Sequence, residues 1–257
     1  MRVDDDRFPE WRSFAEAVTE RRPDAGTWCE AWTVRDIVVH QTGNAEELAR
    51  VLSGHLGGEP VATRGFEERE APYRALSDAD LWAALTSRMA ELGDVAAAAD
   101  DVPADTDVAW TGRTMKVPWF AEHMREELVL HSWDVTGDDG TARARLGERW
   151  MTTHTVDAVG RPLLRRGVAE LGLADDDRVE ARLRAHDGDG SDDVIVTAGA
   201  TSTDITLGPA EGDATLETDA ATRVLLLWGR RPADPTRIRS RVGPEALGRV
   251  RTLLSGY

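Results

Sequence analysis

Glu127 and His131 stand four residues apart in the stretch 117–135, and their types and spacing suit metal binding. At 3.6 residues per turn, Phe120, Met124, Leu128 and Val135 form one apolar stripe, with Glu122 and Glu126 on the opposite side and Arg125 on its flank. Glu127 and His131 lie within roughly 70° of the stripe's centre and so point toward the core. An inward carboxylate and imidazole each need a partner, because burial removes the water that solvates them. Residues at i and i+4 stack along a helix, so both can reach one ion. A hydrogen-bonded Glu–His pair satisfies the same groups without an ion. A third ligand from another helix would decide between the two readings.

His40 is the candidate for that ligand. It falls in a helix expected over 33–52, capped by Thr33, with Val34, Ile37, Val38, Ala45, Leu48 and Leu52 on its apolar face. His40 lies at the edge of that face, near Asn44. Helical bundles build metal sites from side chains on facing helices. One His from this helix with the Glu and His of the other makes a two-nitrogen, one-oxygen set, a usual catalytic zinc arrangement with a fourth position left open.

The elements that must position these residues follow from periodicity. The first half reads as all-helical: an amphipathic helix over 8–21, the helix over 33–52, a third opened by Ser77 or Asp78 and running to Leu92, and a fourth over 117–135 with Pro118 near its start. Gly54, Gly57, Gly58 and Pro60 mark a loop, and the Ala96–Ala99 run reads as loop or fraying helix. After Gly137 the pattern changes. A helix is expected over 148–168, then short alternating runs at 178–185, 193–198, 203–207 and 214–218. Turn residues 187–190 and 209–212 separate the runs, the former as hairpin chemistry rather than a phosphate loop. A helix over 220–228, a last strand at 237–239 and a closing helix over 244–254 complete the chain. The expected fold class is a four-helix bundle over 1–140 followed by a smaller α+β domain with an antiparallel sheet over 141–257.

Composition narrows the function. The chain has 257 residues, a net charge of −16 and a single cysteine, Cys29. Residues 1–140 carry 29 acidic against 14 basic side chains, whereas 141–257 carry 18 against 17. An acidic first half argues against nucleic acid and anionic membrane partners, which need basic surfaces. No apolar run reaches the roughly 20 residues that cross a bilayer, and the acidic start is not a secretory signal. One cysteine makes no intramolecular disulfide, so a cytoplasmic protein is expected. The chain is expected to be a monomer or weak dimer.

Two segments, Trp32-Thr-Val-Arg-Asp-Ile-Val-Val-His40 and Arg125-Glu-Glu-Leu-Val-Leu-His-Ser-Trp-Asp134, resemble the mycothiol-dependent maleylpyruvate isomerases, within the wider DinB/YfiT-like metal-dependent thiol enzymes. Leu225-Leu-Leu-Trp-Gly-Arg-Arg-Pro232 is similar to that family's sterol-carrier-like C-terminal domain. The resemblance spans nearly the whole chain. It implies a divalent metal, zinc foremost, on His40, Glu127 and His131. It also implies mycothiol as the thiol cosubstrate and a small-molecule substrate.

Other residues have blander readings. His123 borders the stripe and could replace a ligand, though an exposed or supporting role is expected, while His55, His154 and His186 read as surface residues. Asp134 reads as a cap or anchor of its helix end. The tryptophans are mainly core, with Trp32 and Trp119 candidates for a pocket mouth. Cys29 has no His at motif spacing and reads as an incidental thiol.

A metal with an open position can bind a thiolate and lower its pKa. The resemblance implies that mycothiol supplies it, adds to a cis double bond and is eliminated after rotation. The diketo acid substrate needs a cation, and Arg230 of the Trp-Gly-Arg motif is the candidate, with Arg237 and Arg239 as rivals and a structural role as the alternative. Two other functions fit the same residues. One is a mycothiol S-transferase, which omits the elimination. The other is a non-enzymatic binder of small apolar ligands, for which a structural metal closed by four ligands would speak.

Overall fold

The computed structural model describes residues 2–187 and 192–255. The chain divides into two compact units, Met1–Gly137 and Asp138–Tyr257. The first holds α1 (Trp11–Thr19), α2 (Val34–Leu56), α3 (Phe66–Arg74), α4 (Asp78–Ala98), β1 (Asp107–Trp110), β2 (Arg113–Lys116) and α5 (Trp119–Thr136). The entry to α2 is fixed by a capping box: the Thr33 hydroxyl accepts the Asp36 N–H while the Asp36 carboxylate accepts the Thr33 N–H. Ser77 caps α4 through the Asp80 N–H. Central in this unit, α2 packs on α3, α4 and α5, and α5 packs in turn on α1 and α4. Ile37, Leu48 and Leu52 of α2, Leu81, Leu85 and Met89 of α4, and Phe120, Met124 and Leu128 of α5 share one core.

Besides α2 running on to Leu56 through Gly54, which the sequence reads as loop, the unit departs from the sequence reading in three places. It is not all-helical, because β1 and β2 form an antiparallel hairpin with Trp110 opposite Arg113. Thr111 (φ 30°) and Gly112 (φ 74°) make the two-residue turn. A turn with both central φ values positive is usually signalled by Asn-Gly or Asp-Gly, and four-residue strands are too short for a period-2 pattern. The hairpin runs directly into α5 and braces it: the Trp110 ring meets Phe120 edge-on at 5.7 Å. The second departure is α3, which contains Pro72 and runs Glu67-Glu-Arg-Glu70 without an apolar stripe. The third is the end of α4, which continues to Ala98 through the alanine run, as the strongest helix former allows.

The second unit contains α6 (Gly140–Leu146), α7 (Arg149–His154), α8 (Arg161–Leu171), β3 (Arg178–Ala185), β4 (Asp192–Gly199), β5 (Thr203–Pro209), β6 (Leu216–Thr218), α9 (Ala220–Leu227), β7 (Arg239–Ser240) and α10 (Pro244–Leu253). The sheet order is β5-β4-β3-β6-β7. Every pairing is antiparallel except β3 with β6. Val179, Ala181 and Leu183 of β3 meet Val194 and Val196 of β4 in this unit's own core. Helices α8, α9 and α10 pack on the strands.

The single helix expected over 148–168 is interrupted by a π-helical turn at Thr155–Val159 and by Gly160 at φ 37°. The last strand falls at Arg239–Ser240 rather than 237–239, because Asp234 caps a 3₁₀ turn over Pro235–Arg237. The expected turn residues 188–190 lie outside the described residues. No described helix is long and apolar enough to cross a membrane.

Glu47 of α2 has no exposed surface. It accepts hydrogen bonds from Arg50 (2.6 and 3.1 Å), the Arg64 backbone N–H (2.6 Å) and Arg64 Nε (2.7 Å), tying the segment before α3 to α2. Burial opposes its ionisation, but the bonds from Arg50 and Arg64 outweigh that and hold its pKa below the ordinary 4.5. A lowered folded value makes the contribution complete at neutral pH and lost as pH falls below that value. Glu47→Ala, read by denaturant unfolding at pH 7, is expected to lose about 3 kcal/mol, because it leaves buried donors unpaired. An unchanged midpoint contradicts this.

Candidate metal centre

The first unit brings together all three residues singled out as ligands. His40 sits two turns into α2, on the side that meets α3 and α5, and Glu127 and His131 occupy successive turns of α5. All three are 3–4% exposed. One donor atom from each lies within 4.8 Å of the other two. Glu127 Oε2 is 3.4 Å from His40 Nε2 and 3.3 Å from His131 Nε2.

These distances bear on the choice between a hydrogen-bonded pair and an ion site. Charge-assisted N–H···O bonds close to about 2.7–2.9 Å. A tetrahedral ion with bonds of about 2.0–2.2 Å sets its donors roughly 3.4 Å apart, the edge of the tetrahedron. The observed 3.3 and 3.4 Å match the edge. Elsewhere the same two rings make closer contacts: His40 Nδ1 is hydrogen-bonded to Glu70 Oε1 at 2.8 Å, and His131 Nδ1 lies at ion-pair distance, 2.8 Å, from Asp134 Oδ2. A proton on each Nδ1, beside its carboxylate, would turn the Nε2 lone pair inward.

Other polar groups border the same point. Asn44 Nδ2 is 3.1 Å from His40 Nε2, and Gln41 Nε2 donates to Glu127 Oε2 at 3.3 Å. Gln41 Oε1 is buried and has no hydrogen-bond partner among the described residues, so this corner has polar capacity to spare. The donor chemistry and spacing fit a divalent ion. Among the described residues no fourth His, Cys, Asp or Glu joins this group, which leaves the set at two nitrogens and one oxygen.

The electrostatics agree with the geometry. Burial works against ionising Glu127, but the facing His131 and His40 rings outweigh it and hold the carboxyl well below the usual carboxylate range. Burial also disfavours a charged His131, yet Asp134 and Glu127 raise its pKa above the ordinary imidazole value. The site is thus a fixed negative carboxylate facing basic nitrogens, which compete for protons or a metal cation.

Aromatic rings wall the histidines. Trp32 stacks on His131 with centroids 5.6 Å apart and planes 11° apart, and it sits 4.9 Å from His40. The loop carrying it is tied to the end of α5 by the Trp28 N–H bonding to the Asp134 carbonyl at 2.8 Å. Phe66 of α3, 44% exposed, stacks on His40 at 5.6 Å.

Several residues lie elsewhere than their sequence suggested. Glu126, placed on a polar face, has no exposed surface, and His123 and His154 are also buried. A helix covered on more than one side buries its polar stripe too, and α5 is buried almost continuously from His123 to Val135. His123 Nε2 stands 3.7 Å from Glu127 Oε1. Asp134 does not cap α5; its carboxylate turns inward to His131. The i, i+3 spacing from His131 was the available signal for that contact. Glu70 had none, because α3 carries no apolar period.

Arg230 lies in the second unit. There α9 ends in a Schellman motif, with Gly229 at φ 72°, Gly229 N–H bonding to Leu226 O and Arg230 N–H bonding to Leu225 O. The Trp-Gly-Arg sequence is therefore a helix stop that fixes where Arg230 leaves the chain. Arg237 is committed to Asp219 (2.7 and 2.8 Å) and Asp138 (2.8 Å), and Arg239 is exposed on β7.

Comparison with known proteins places these features. The family described as mycothiol maleylpyruvate isomerase N-terminal domain matches residues 7–136. Two crystal structures of the mycothiol-dependent maleylpyruvate isomerase share the fold over 94% of this chain and 95% of theirs. One has a TM-score of 0.63 at 15% identity. The other, a histidine-to-alanine variant, has 0.62 at 14%. No curated protein sequence matches the chain.

The donor spacing generates a direct expectation. Elemental analysis of the purified protein should find one divalent ion per chain, and His131→Ala should lose it. Equal metal content in the two proteins contradicts the ligand set.

Proposed function

The chain belongs to the mycothiol maleylpyruvate isomerase N-terminal domain family, and on that footing we propose that it is a mycothiol-dependent, metal-assisted cis–trans isomerase of a maleylpyruvate-like substrate. The observation that carries the reading is the buried triad of His40, Glu127 and His131, with the Glu127 oxygen 3.3–3.4 Å from both imidazole nitrogens and no fourth acidic, His or Cys ligand in the group among the described residues. A three-donor set is the catalytic pattern, whereas a structural zinc is closed by four. A divalent ion held there would keep a thiol deprotonated at neutral pH.

The chain's own residues do the rest. Glu127 and the two imidazoles would hold the ion, Gln41 steadies the Glu127 oxygen that would face it, and Trp32 and Phe66 frame the approach to the rings. Cys29 is half-buried in the loop before α2, with its N–H bonded to Thr27 Oγ1, and is not among the converging donors. The reacting thiol therefore comes from solution. Its thiolate forms a C–S bond at one alkene carbon while the π electrons move into the conjugated carbonyl. The adduct turns about what is now a single bond. The electron pair then returns, the C–S bond breaks, and the thiolate leaves with the trans alkene. No electrons are gained or lost overall. Arg230 is the proposed anchor for the substrate carboxylate, since Arg237 already serves two carboxylates.

Activity is expected only with added mycothiol, and Cys29→Ser should work at the wild-type rate. A wild type that isomerises without added thiol, together with an inactive Cys29→Ser, would make Cys29 the nucleophile and overturn the proposal. A stable mycothiol adduct in place of the trans product, seen by mass spectrometry, would instead make the protein an S-transferase.

A further inference from the structure

We propose that Glu70 and Asp134 are positioning residues for the metal centre: each grips the outer nitrogen of one histidine and so aims its inner nitrogen at the ion. The inference rests on reading His40, Glu127 and His131 as ligands. It adds two carboxylates and a helix, α3, that neither the family match nor the sequence pattern assigns to the site.

The contacts are paired but not identical. His40 Nδ1 is hydrogen-bonded to Glu70 Oε1 at 2.8 Å, and His131 Nδ1 lies at ion-pair distance, 2.8 Å, from Asp134 Oδ2. Glu70 is 5% exposed and Asp134 has no exposed surface, so neither bond competes with water. A carboxylate on the far nitrogen fixes the tautomer, stops ring rotation and makes the facing nitrogen a stronger donor. Arg74 Nη2, at 2.7 Å from Glu70 Oε2, holds the second oxygen and leaves the first for His40.

The backbone is shaped for this contact. Gly43 lies one turn after His40 on α2, where a Cβ would sit 3.2 Å from the Arg69 carbonyl oxygen and 3.3 Å from Glu70 Cγ. A side chain at 43 would press α3 away at the very residue that reaches His40. Phe66, one turn before Glu70, covers the His40 ring. A charged, proline-containing helix with no apolar stripe is otherwise an odd element to lay on α2. Delivering Glu70 to His40 accounts for its position.

The test is zinc affinity of the full chain by competition with a chromophoric chelator, with far-UV circular dichroism as the check on folding. Glu70→Ala and Asp134→Ala should each weaken zinc binding about 10- to 100-fold. Glu70→Gln keeps an acceptor but loses the charge, so it should fall between wild type and Glu70→Ala. Gly43→Ala, which touches no ligand, should weaken binding in the same direction as Glu70→Ala. Cobalt-loaded Glu70→Ala should also show shifted visible bands, which a merely structural role would leave alone. Wild-type affinity in Glu70→Ala, or in Glu70→Gln should the alanine variant not fold, overturns the proposal. His131→Ala separates the two levels. If it loses zinc while Glu70→Ala keeps it, the ligands stand and the clamp falls; if it keeps zinc, the ligand reading itself fails.

Discussion

A carboxylate with almost no exposed surface has to be met by positive charge or by several donors, and Glu127 imposes that requirement on the first unit. Its Oε2 faces two imidazole nitrogens and the Gln41 amide at 3.3–3.4 Å, none of them close enough for a short charge-assisted bond. The arrangement is compact but not closed on itself. The two spacings about the Glu127 oxygen are those of donors around a divalent ion with bonds near 2 Å. The capping box that starts α2, the hairpin that steers the chain into α5 and the close approach of α3 at Gly43 each place one side chain of this cluster.

The legible part of this arrangement was the part written in helical periodicity. His40, Glu127 and His131 lie on long helices whose apolar stripes define an inside, so the inward residues could be read from the sequence. Glu70 could not, because α3 has no stripe and its place is set by contact with α2 rather than by its own pattern. The hairpin was hidden for a related reason: its strands are four residues long and its turn is Thr-Gly. Glu126 escapes the wheel, which assumes one wet face, because α5 has almost none. In the second unit, the alternating runs marked β3, β4 and β5, whereas the break at Gly160 came from a π turn that no residue pattern announces.

The second unit contributes a different kind of constraint. Asp193, fully buried on β4, is held by Arg182 and Arg184 of β3 at 2.8–3.1 Å, so the sheet carries an internal ion pair across neighbouring strands. Arg237 is likewise bound to Asp219 and Asp138. These arginines are structural by their partners. The Schellman stop after α9 fixes where Arg230 leaves the helix end, and its guanidinium donates to the Trp228 carbonyl at 3.2 Å.

The central claim is that the triad holds an ion with a position open to an external thiol. The most direct measurement is the absorption spectrum of the cobalt-substituted protein with and without mycothiol. The account predicts that mycothiol brings up a sulfur-to-cobalt charge-transfer band and shifts the visible bands, in wild type and in Cys29→Ser alike. A spectrum that mycothiol leaves unchanged, or a sulfur band present without added thiol and missing in Cys29→Ser, would contradict it.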